Sequence, residues 1–354
     1  MINRPNWTIG DYEPRPKNKL WLDRNECRNS NTINLVKKIA YECIDERIST
    51  YIDLNELYTN AEKVLGIEEE NIYFTNGADG AIRSFFEFSK FKGKNRQCIL
   101  MRPSFAMYSV YAHCYCDEVN YVDYERFTNR DSNQISLLLH TLNNCDENSI
   151  CVIANPESPM GVGYTQSDIK KITSICNDRN ISLLIDCTYE DFADFKINLD
   201  IKSLLSSNIF IAKSFSKSWG LSGVRLGYLQ GSSSEIKKAK LARPMYEVGA
   251  LQALILRKAL DYAFSFEKHL KETVNTREAF VRQLNELGLS SHTTHCNFIH
   301  VETSTIMEKQ KTWLNANICY KEFTHKSLES FLRITVPSSD EKDIIIEALA
   351  NSIC

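Results

Sequence analysis

Lys217 sits in the stretch Ser214-Phe215-Ser216-Lys217-Ser218-Trp219-Gly220-Leu221-Ser222-Gly223-Val224-Arg225. An amine approached through two hydroxyls, with a guanidinium eight residues on, can do two jobs at once. The amine can add to an aldehyde, and Ser214, Ser216 and Arg225 can hold a phosphate beside it. A ligand using both features carries an aldehyde and a phosphate on one frame. Three further positions have chemistry to offer. Asn155 and Asp186 each follow an apolar run, and Arg333 lies inside Leu332-Arg333-Ile334-Thr335-Val336. An amide can donate to an oxygen, a carboxylate can hold a cation, and a guanidinium can fork onto a carboxylate with two parallel hydrogen bonds.

These residues need elements to place them. The apolar run 209–212 reads as a short buried strand leading into the lysine segment, and 224–229 as a strand leading away. Strands are likewise expected at 71–74, 98–102, 118–124, 149–154 and 181–185, alternating with helices at 54–65, 81–91, 104–116, 132–142 and 166–178. Strand–helix alternation with active groups at strand carboxyl ends is the layout of an open α/β sheet. The turn Thr75-Asn76-Gly77-Ala78-Asp79-Gly80 between a strand and a helix would expose backbone N–H groups to an anion.

The motifs, in this order, resemble those of fold-type I pyridoxal-phosphate enzymes, in the class I/II aminotransferases, and are most similar to the histidinol-phosphate aminotransferase branch. Ser-x-Ser-Lys with an arginine eight residues later is similar to the cofactor lysine motif, and pyridoxal 5'-phosphate carries the required aldehyde and phosphate. The resemblance implies that Ala78 and Asp79 meet the cofactor phosphate with Ser214, Ser216 and Arg225, although Gly80 stands where the family has glutamate. Phe105, in Pro103-Ser104-Phe105-Ala106-Met107-Tyr108, would stack on the pyridine ring. Asn155, in Asn155-Pro156-Glu157-Ser158-Pro159-Met160-Gly161, and Tyr189, in Asp186-Cys187-Thr188-Tyr189, would hydrogen-bond the phenolate oxygen. Asp186 would pair with the pyridinium nitrogen. Arg333 would take the substrate α-carboxylate. Leu22-Asp23-Arg24-Asn25-Glu26, similar to a family segment lining the substrate pocket, brings in Asn25. Tyr51 matches a tyrosine that reaches the neighbouring subunit's cofactor phosphate in a homodimer. Lys321 falls where the branch carries an arginine for the substrate phosphate.

The implied fold is a large α/β domain, residues 49–243, with a mostly parallel seven-stranded sheet. Residues 1–48 and 244–354 would form a small α+β domain with an N-terminal arm. Its elements are expected as a long bent or divided helical tract at 248–287, strands at 297–301, 318–321 and 331–336, and helices at 305–315 and 340–353. The implied reaction moves an amino group between an amino acid, glutamate in the first instance, and a small keto substrate that carries a phosphate or lacks one. Decarboxylation of an amino acid or its phosphate uses the same Lys, Asp and Arg and stays open. So does a non-catalytic protein of this fold, against which the intact Lys217, Asp186 and Arg225 argue.

Bulk properties agree with a soluble enzyme. The chain has 354 residues, 43% hydrophobic and 25% charged, enough to bury a large core. A net charge of −3, with no basic block, gives no reason to expect nucleic-acid binding. The twelve cysteines include no C-x-x-C pair and no zinc spacing, and read as reduced thiols in a cytoplasmic protein; no metal is expected. No run approaches membrane-spanning length, and no apolar segment follows the first residues as in a signal peptide.

Overall fold

The computed structural model describes residues 15–44, 49–90, 97–131, 135–194, 208–241 and 243–352. The irregular segment expected at the N-terminus, up to residue 14, and the outer ends of the expected helices at 91, 132–134 and 353 lie outside the described residues. In chain order the elements begin with β1 (Leu20–Trp21), α1 (Ser30–Cys43), α2 (Asn55–Leu65), β2 (Ile72–Thr75), α3 (Gly77–Lys90), β3 (Gln97–Arg102), α4 (Ala106–Tyr115), β4 (Glu118–Asp123) and α5 (Ile135–Asn144). They continue with β5 (Ile150–Ala154), α6 (Gln166–Asp178), β6 (Ser182–Asp186), β7 (Ile209–Ser214), β8 (Gly227–Gln230), α7 (Ser233–Leu241), α8 (Ala250–Leu260) and α9 (Ala263–Glu286). The last are β9 (Ser291–His292), β10 (Phe298–Glu302), α10 (Glu308–Asn317), β11 (Ile318–Cys319), β12 (Lys321–Glu322), β13 (Phe331–Thr335) and α11 (Ser339–Asn351).

The main sheet has seven strands in the order β2-β8-β7-β6-β5-β3-β4. From β7 to β4 every neighbour is parallel, and β8 alone runs against both of its neighbours. Side-chain alternation builds a layer on each face. Ile99, Met101, Leu183 and Ile185 pack with Leu138 of α5 and Ile169 of α6. Cys98, Leu100 and Leu184 pack oppositely with Ile82 and Phe85 of α3 and Ile236 of α7. Each large apolar side chain so buried contributes about 1.5–3 kcal/mol. A third cluster joins α1, α2 and α8 to Phe74, Phe215 and Tyr228. A fourth gathers Leu22, Phe280, Leu284, Ile299, Ile334 and Ile345 around an antiparallel four-stranded sheet, β12-β13-β10-β9.

Several elements differ from the sequence reading for local reasons. The strand expected from 224 begins at Gly227, because Arg225 takes a left-handed φ of 59° and belongs to the turn before it. The single strand expected at 318–321 is two: β11 pairs in parallel with β1, while β12 pairs with β13 in another sheet. The tract at 248–287 divides into α8 and α9 at Asp261 and Tyr262. Helix α3 starts at Gly77 rather than 81, which brings Ala78 and Asp79 into its first turn. Where capping residues are strong, the ends agree: Thr165 and Asp168 form a capping box on α6, and Gly66, at φ 68°, closes α2.

Candidate active site

A cavity of about 500 Å³ opens at the carboxyl ends of the parallel strands. This is where an open α/β sheet leaves room for a ligand. Its wall includes Ala78, Asp79, Phe105, Asp186, Tyr189, Ser214, Ser216, Lys217, Arg225, Arg333 and Asn25, residues scattered over more than three hundred positions.

Lys217 is half-buried, and its Nζ donates to the Arg24 carbonyl oxygen at 2.9 Å. Burial and the guanidinium of Arg333 lower its pKa, Glu26 opposes them, and with Arg225 adding to the fall the amine comes down to about 8. A lysine so placed has a usable lone pair near neutrality. Asp186 ends β6 and is only 5% exposed. Its Oδ2 accepts from the Tyr108 hydroxyl at 2.6 Å and its Oδ1 from the Thr188 N–H at 2.9 Å. Burial raises its pKa, and these hydrogen bonds hold it down. Behind it, Glu157 is 1% exposed, and neither of its carboxylate oxygens has a well-formed hydrogen bond. Burial, then the charge of Asp186, pushes Glu157 well above the usual carboxylate range. Burial thus pushes both acids upward, and Glu157 the further of the two, because Asp186 keeps the hydrogen bonds of Tyr108 and Thr188.

At one pole the first turn of α3 presents N–H groups that have no intrahelical acceptor. Ser214, Ser216 and Arg225 stand around it. Arg225 Nη1 makes only long contacts, 3.5 Å to Ser216 Oγ and 3.4 Å to the Ser222 carbonyl, so its fork is available to an anion. The backbone is cut close to make this cradle. A Cβ on Gly77 would lie 2.8 Å from Arg225 Nη2, and one on Gly227 would lie 2.6 Å from the Ala78 nitrogen. At the other pole Arg333 Nη2 donates to the Asp23 carbonyl at 2.8 Å, and its Nε has no partner among the described residues. Its guanidinium lies 5.1 Å from the Phe298 ring centre and 5.6 Å from that of Phe323. Asn25 Nδ2 donates to the Tyr189 hydroxyl at 2.9 Å. Burial pushes Tyr189 up to about 12, against the pull of Arg333.

These groups fit pyridoxal phosphate. The α3 turn with Ser214, Ser216 and Arg225 suits its phosphate, and Phe105, 41% exposed at the rim, suits a ring face. The strongest indication is Asp186, a buried carboxyl group hydrogen-bonded by a phenol and a backbone N–H, which suits a ring nitrogen as its partner. The sequence profile of the aminotransferase class I and II family matches residues 17–349. The chain belongs to the class I and II aminotransferases. By family it is a pyridoxal-phosphate-dependent aminotransferase.

The chain is 24% identical over 348 residues to a histidinol-phosphate aminotransferase of Clostridium novyi, covering 96% of this chain and 95% of that one. Among solved structures it is similar to the histidinol-phosphate aminotransferase from Sinorhizobium meliloti in complex with pyridoxal-5'-phosphate, with a TM-score of 0.77 and 18% identity over 94% of this chain and 90% of that chain. It is also similar to L-threonine-O-3-phosphate decarboxylase from Porphyromonas gingivalis, with a TM-score of 0.73 and 18% identity over 94% and 99% of the two chains. The α/β fold with a large, mostly parallel seven-stranded sheet is the one the sequence motifs implied.

Three expected site residues of this aminotransferase do not line the cavity. Asn155 is fully buried, and its amide is engaged with the backbone of Tyr164, donating to the carbonyl at 3.0 Å and accepting from the N–H at 2.8 Å. Tyr51 is 76% exposed and stacks on Tyr246 at 3.8 Å beside a separate cavity. Lys321 is exposed on edge strand β12, in register with Arg333 but outside the wall. Conversely, the sequence reading gave no role to Tyr108, Thr188, Ser158 or Thr335. Tyr108 carried a signal, standing in the same Pro103–Tyr108 motif as Phe105, in the first turn of α4. Thr335, which accepts from the Asn25 N–H at 3.0 Å across 310 residues, carried none.

Proposed function

We propose that this aminotransferase is histidinol-phosphate aminotransferase-like, moving an amino group between an amino acid, glutamate in the first instance, and a small keto substrate. One observation carries the reading: the depressed Lys217 amine, the buried Asp186 and the Arg333 fork all face one cavity. Likeness to histidinol-phosphate aminotransferases over nearly the whole chain supports it.

When bound, pyridoxal phosphate supplies an aldehyde for amines and a ring that draws electrons from the substrate α-carbon. Ala78, Asp79, Ser214, Ser216 and Arg225 would hold its phosphate, Asp186 its ring nitrogen, and Phe105 would cover a ring face. Arg333 receives the substrate α-carboxylate, since its free Nε and its Nη groups form a two-donor edge. The Lys217 amine, neutral in half of the molecules near pH 8, takes the α-proton and returns it on the other side of the reaction. Tyr189, kept protonated with a pKa of about 12, remains a hydrogen-bond donor at neutral pH. Asn155 fixes the turn at Tyr164 with its amide oxygen and one of its two Nδ2 hydrogens.

A homodimer in which Tyr51 reaches the partner's phosphate pole belongs to the same reading. The exposed Tyr51, Met245 and Tyr246, gathered around one cavity, support it. A reducing, cytoplasmic setting belongs to the same reading, supported by twelve cysteines that include no C-x-x-C pair. No helix among the described residues is long and apolar enough to cross a membrane.

The test mixes the yellow, cofactor-loaded protein with amino donors one at a time. Glutamate is expected to bleach the visible band and leave a keto acid. Carbon dioxide release without a keto acid would turn the reading to decarboxylation. Failure of every donor, glutamate and histidinol phosphate included, would remove transamination.

A further inference from the structure

Three cations, Arg24, Arg28 and Lys321, have the charge to hold a second anionic group on the substrate. The structure separates them. Arg28 is spent, with its Nε donating to Glu341 Oε2 at 3.1 Å and its Nη2 bonded to Oε1 of the same carboxylate. Lys321 lies outside the cavity wall. Arg24 lines the cavity with its side chain 48% exposed, and its ion pair among the described residues is a 3.4 Å contact from Nε to the neighbouring Asp23. That leaves its Nη edge free of carboxylates. The other charged group of this segment in the wall, Glu26, is neutralised by Arg15 Nη1 at 2.6 Å.

The backbone that carries Arg24 is fixed on both sides. The Asp23 carbonyl accepts from Arg333 Nη2 at 2.8 Å, and the Arg24 carbonyl accepts from Lys217 Nζ at 2.9 Å. On one flank the Leu22 N–H donates to the Cys319 carbonyl, and the Thr335 N–H donates to that of Leu22. On the other, Asn25, 2% exposed and at a left-handed φ of 54°, donates its N–H to Thr335 Oγ1 and accepts at its carbonyl from Asn297 Nδ2 at 3.1 Å. The Arg24 side chain therefore starts from a segment tied on both flanks and placed between Arg333 and the Lys217 amine. A preorganised start of this kind limits the entropy lost on binding.

The geometry points to Arg24 as the specificity residue of this site: it receives a second anionic group, carboxylate or phosphoryl, of a substrate whose α-carboxylate is on Arg333. This rests on the transamination reading for the identity of the first subsite. No bond is made or broken in the step.

The experiment measures binding of succinate and of propionate to the full, cofactor-loaded chain by calorimetry, in wild type, Arg24→Gln and Arg24→Lys. Neither probe carries an amine, so binding is read without turnover. The wild type is expected to prefer succinate. In Arg24→Gln the succinate-to-propionate affinity ratio should fall by about tenfold or more, as for loss of one charge-assisted contact. Arg24→Lys, which keeps the charge, should recover most of that ratio and guards against a folding defect. Repeating the series with 3-phosphonopropionate identifies the anion: tighter binding than succinate assigns a phosphoryl group, weaker binding a carboxylate. A wild type without preference for succinate, or a ratio unchanged in Arg24→Gln, overturns the assignment. An enzyme that transaminates with an unchanged ratio keeps the general reading and loses Arg24. One that bleaches with no donor yet shows the ratio keeps Arg24 as an anion subsite and loses transamination.

Discussion

The two poles of the cavity are made in different ways. The phosphate pole draws Ser214, Ser216 and Arg225 from one contiguous stretch, with the first turn of α3 beside it. Its donors are local: a helix end, two hydroxyls and an arginine placed by a left-handed turn at φ 59°. The substrate pole is assembled from Arg24 and Asn25 near one end of the chain, Ser158 in the middle and Arg333 near the other end. It is held by bonds that span hundreds of residues, such as Asn25 to Thr335 and Arg333 to Asp23. On the proposed reading the first pole would hold the cofactor, a fixed ligand, and can be written in a motif. The second would hold the part that differs between substrates, and no single stretch of sequence spells it out.

Lys217 lies between the poles, so its removal should have the largest effect. Lys217→Ala is expected to lose the visible absorbance of amine-bound pyridoxal phosphate and to lower kcat/KM by about 10⁴-fold or more. An unchanged yellow colour would place the reacting amine elsewhere. Exchanging the two arginines tests whether the poles are separate. Arg225→Gln should weaken cofactor affinity by about 10- to 100-fold in an absorbance titration, whereas Arg333→Gln should raise the KM of the amino donor by a similar factor. If Arg333→Gln weakened the cofactor as much as Arg225→Gln, the division drawn here would fail. The smallest effect concerns pH and measures how the poles couple through charge. Capture of added cofactor by the cofactor-free chain needs the neutral amine, so its rate should rise with pH through about 8 and then level off. A solvent-exposed lysine would keep rising toward about 10.4. Because the Arg333 cation helps lower Lys217, Arg333→Gln should move the midpoint upward. A midpoint that stays in place would assign the depression to burial alone.

Much of the framework was legible because it depends on short-range rules. The buried parallel strands are apolar runs four to six residues long, and Gly66 and the Thr165–Asp168 box mark helix ends by their own backbone chemistry. Where a boundary depended on a partner, the reading slipped. Nothing between 318 and 321 shows that Cys319 would pair toward Trp21 while Lys321 pairs toward Arg333. The motif names Asn155, but nothing in its spacing reveals that the amide also holds the backbone of Tyr164, nine residues along the turn.

The sequence by itself determined which chemistry was on offer: a lysine able to form a covalent bond, an aspartate at a strand end, two arginines, and a sheet to align them. Side-chain type and hydrophobic period are local properties and are carried in the order of residues. Only the tertiary structure decided which charges remain available. Arg28 and Glu26 were claimed by Glu341 and Arg15, Lys321 was turned out to an edge strand, and Arg24 was left at the mouth. Such pairings depend on distances between segments far apart in the chain, and those distances exist only once both ends of the chain have packed together.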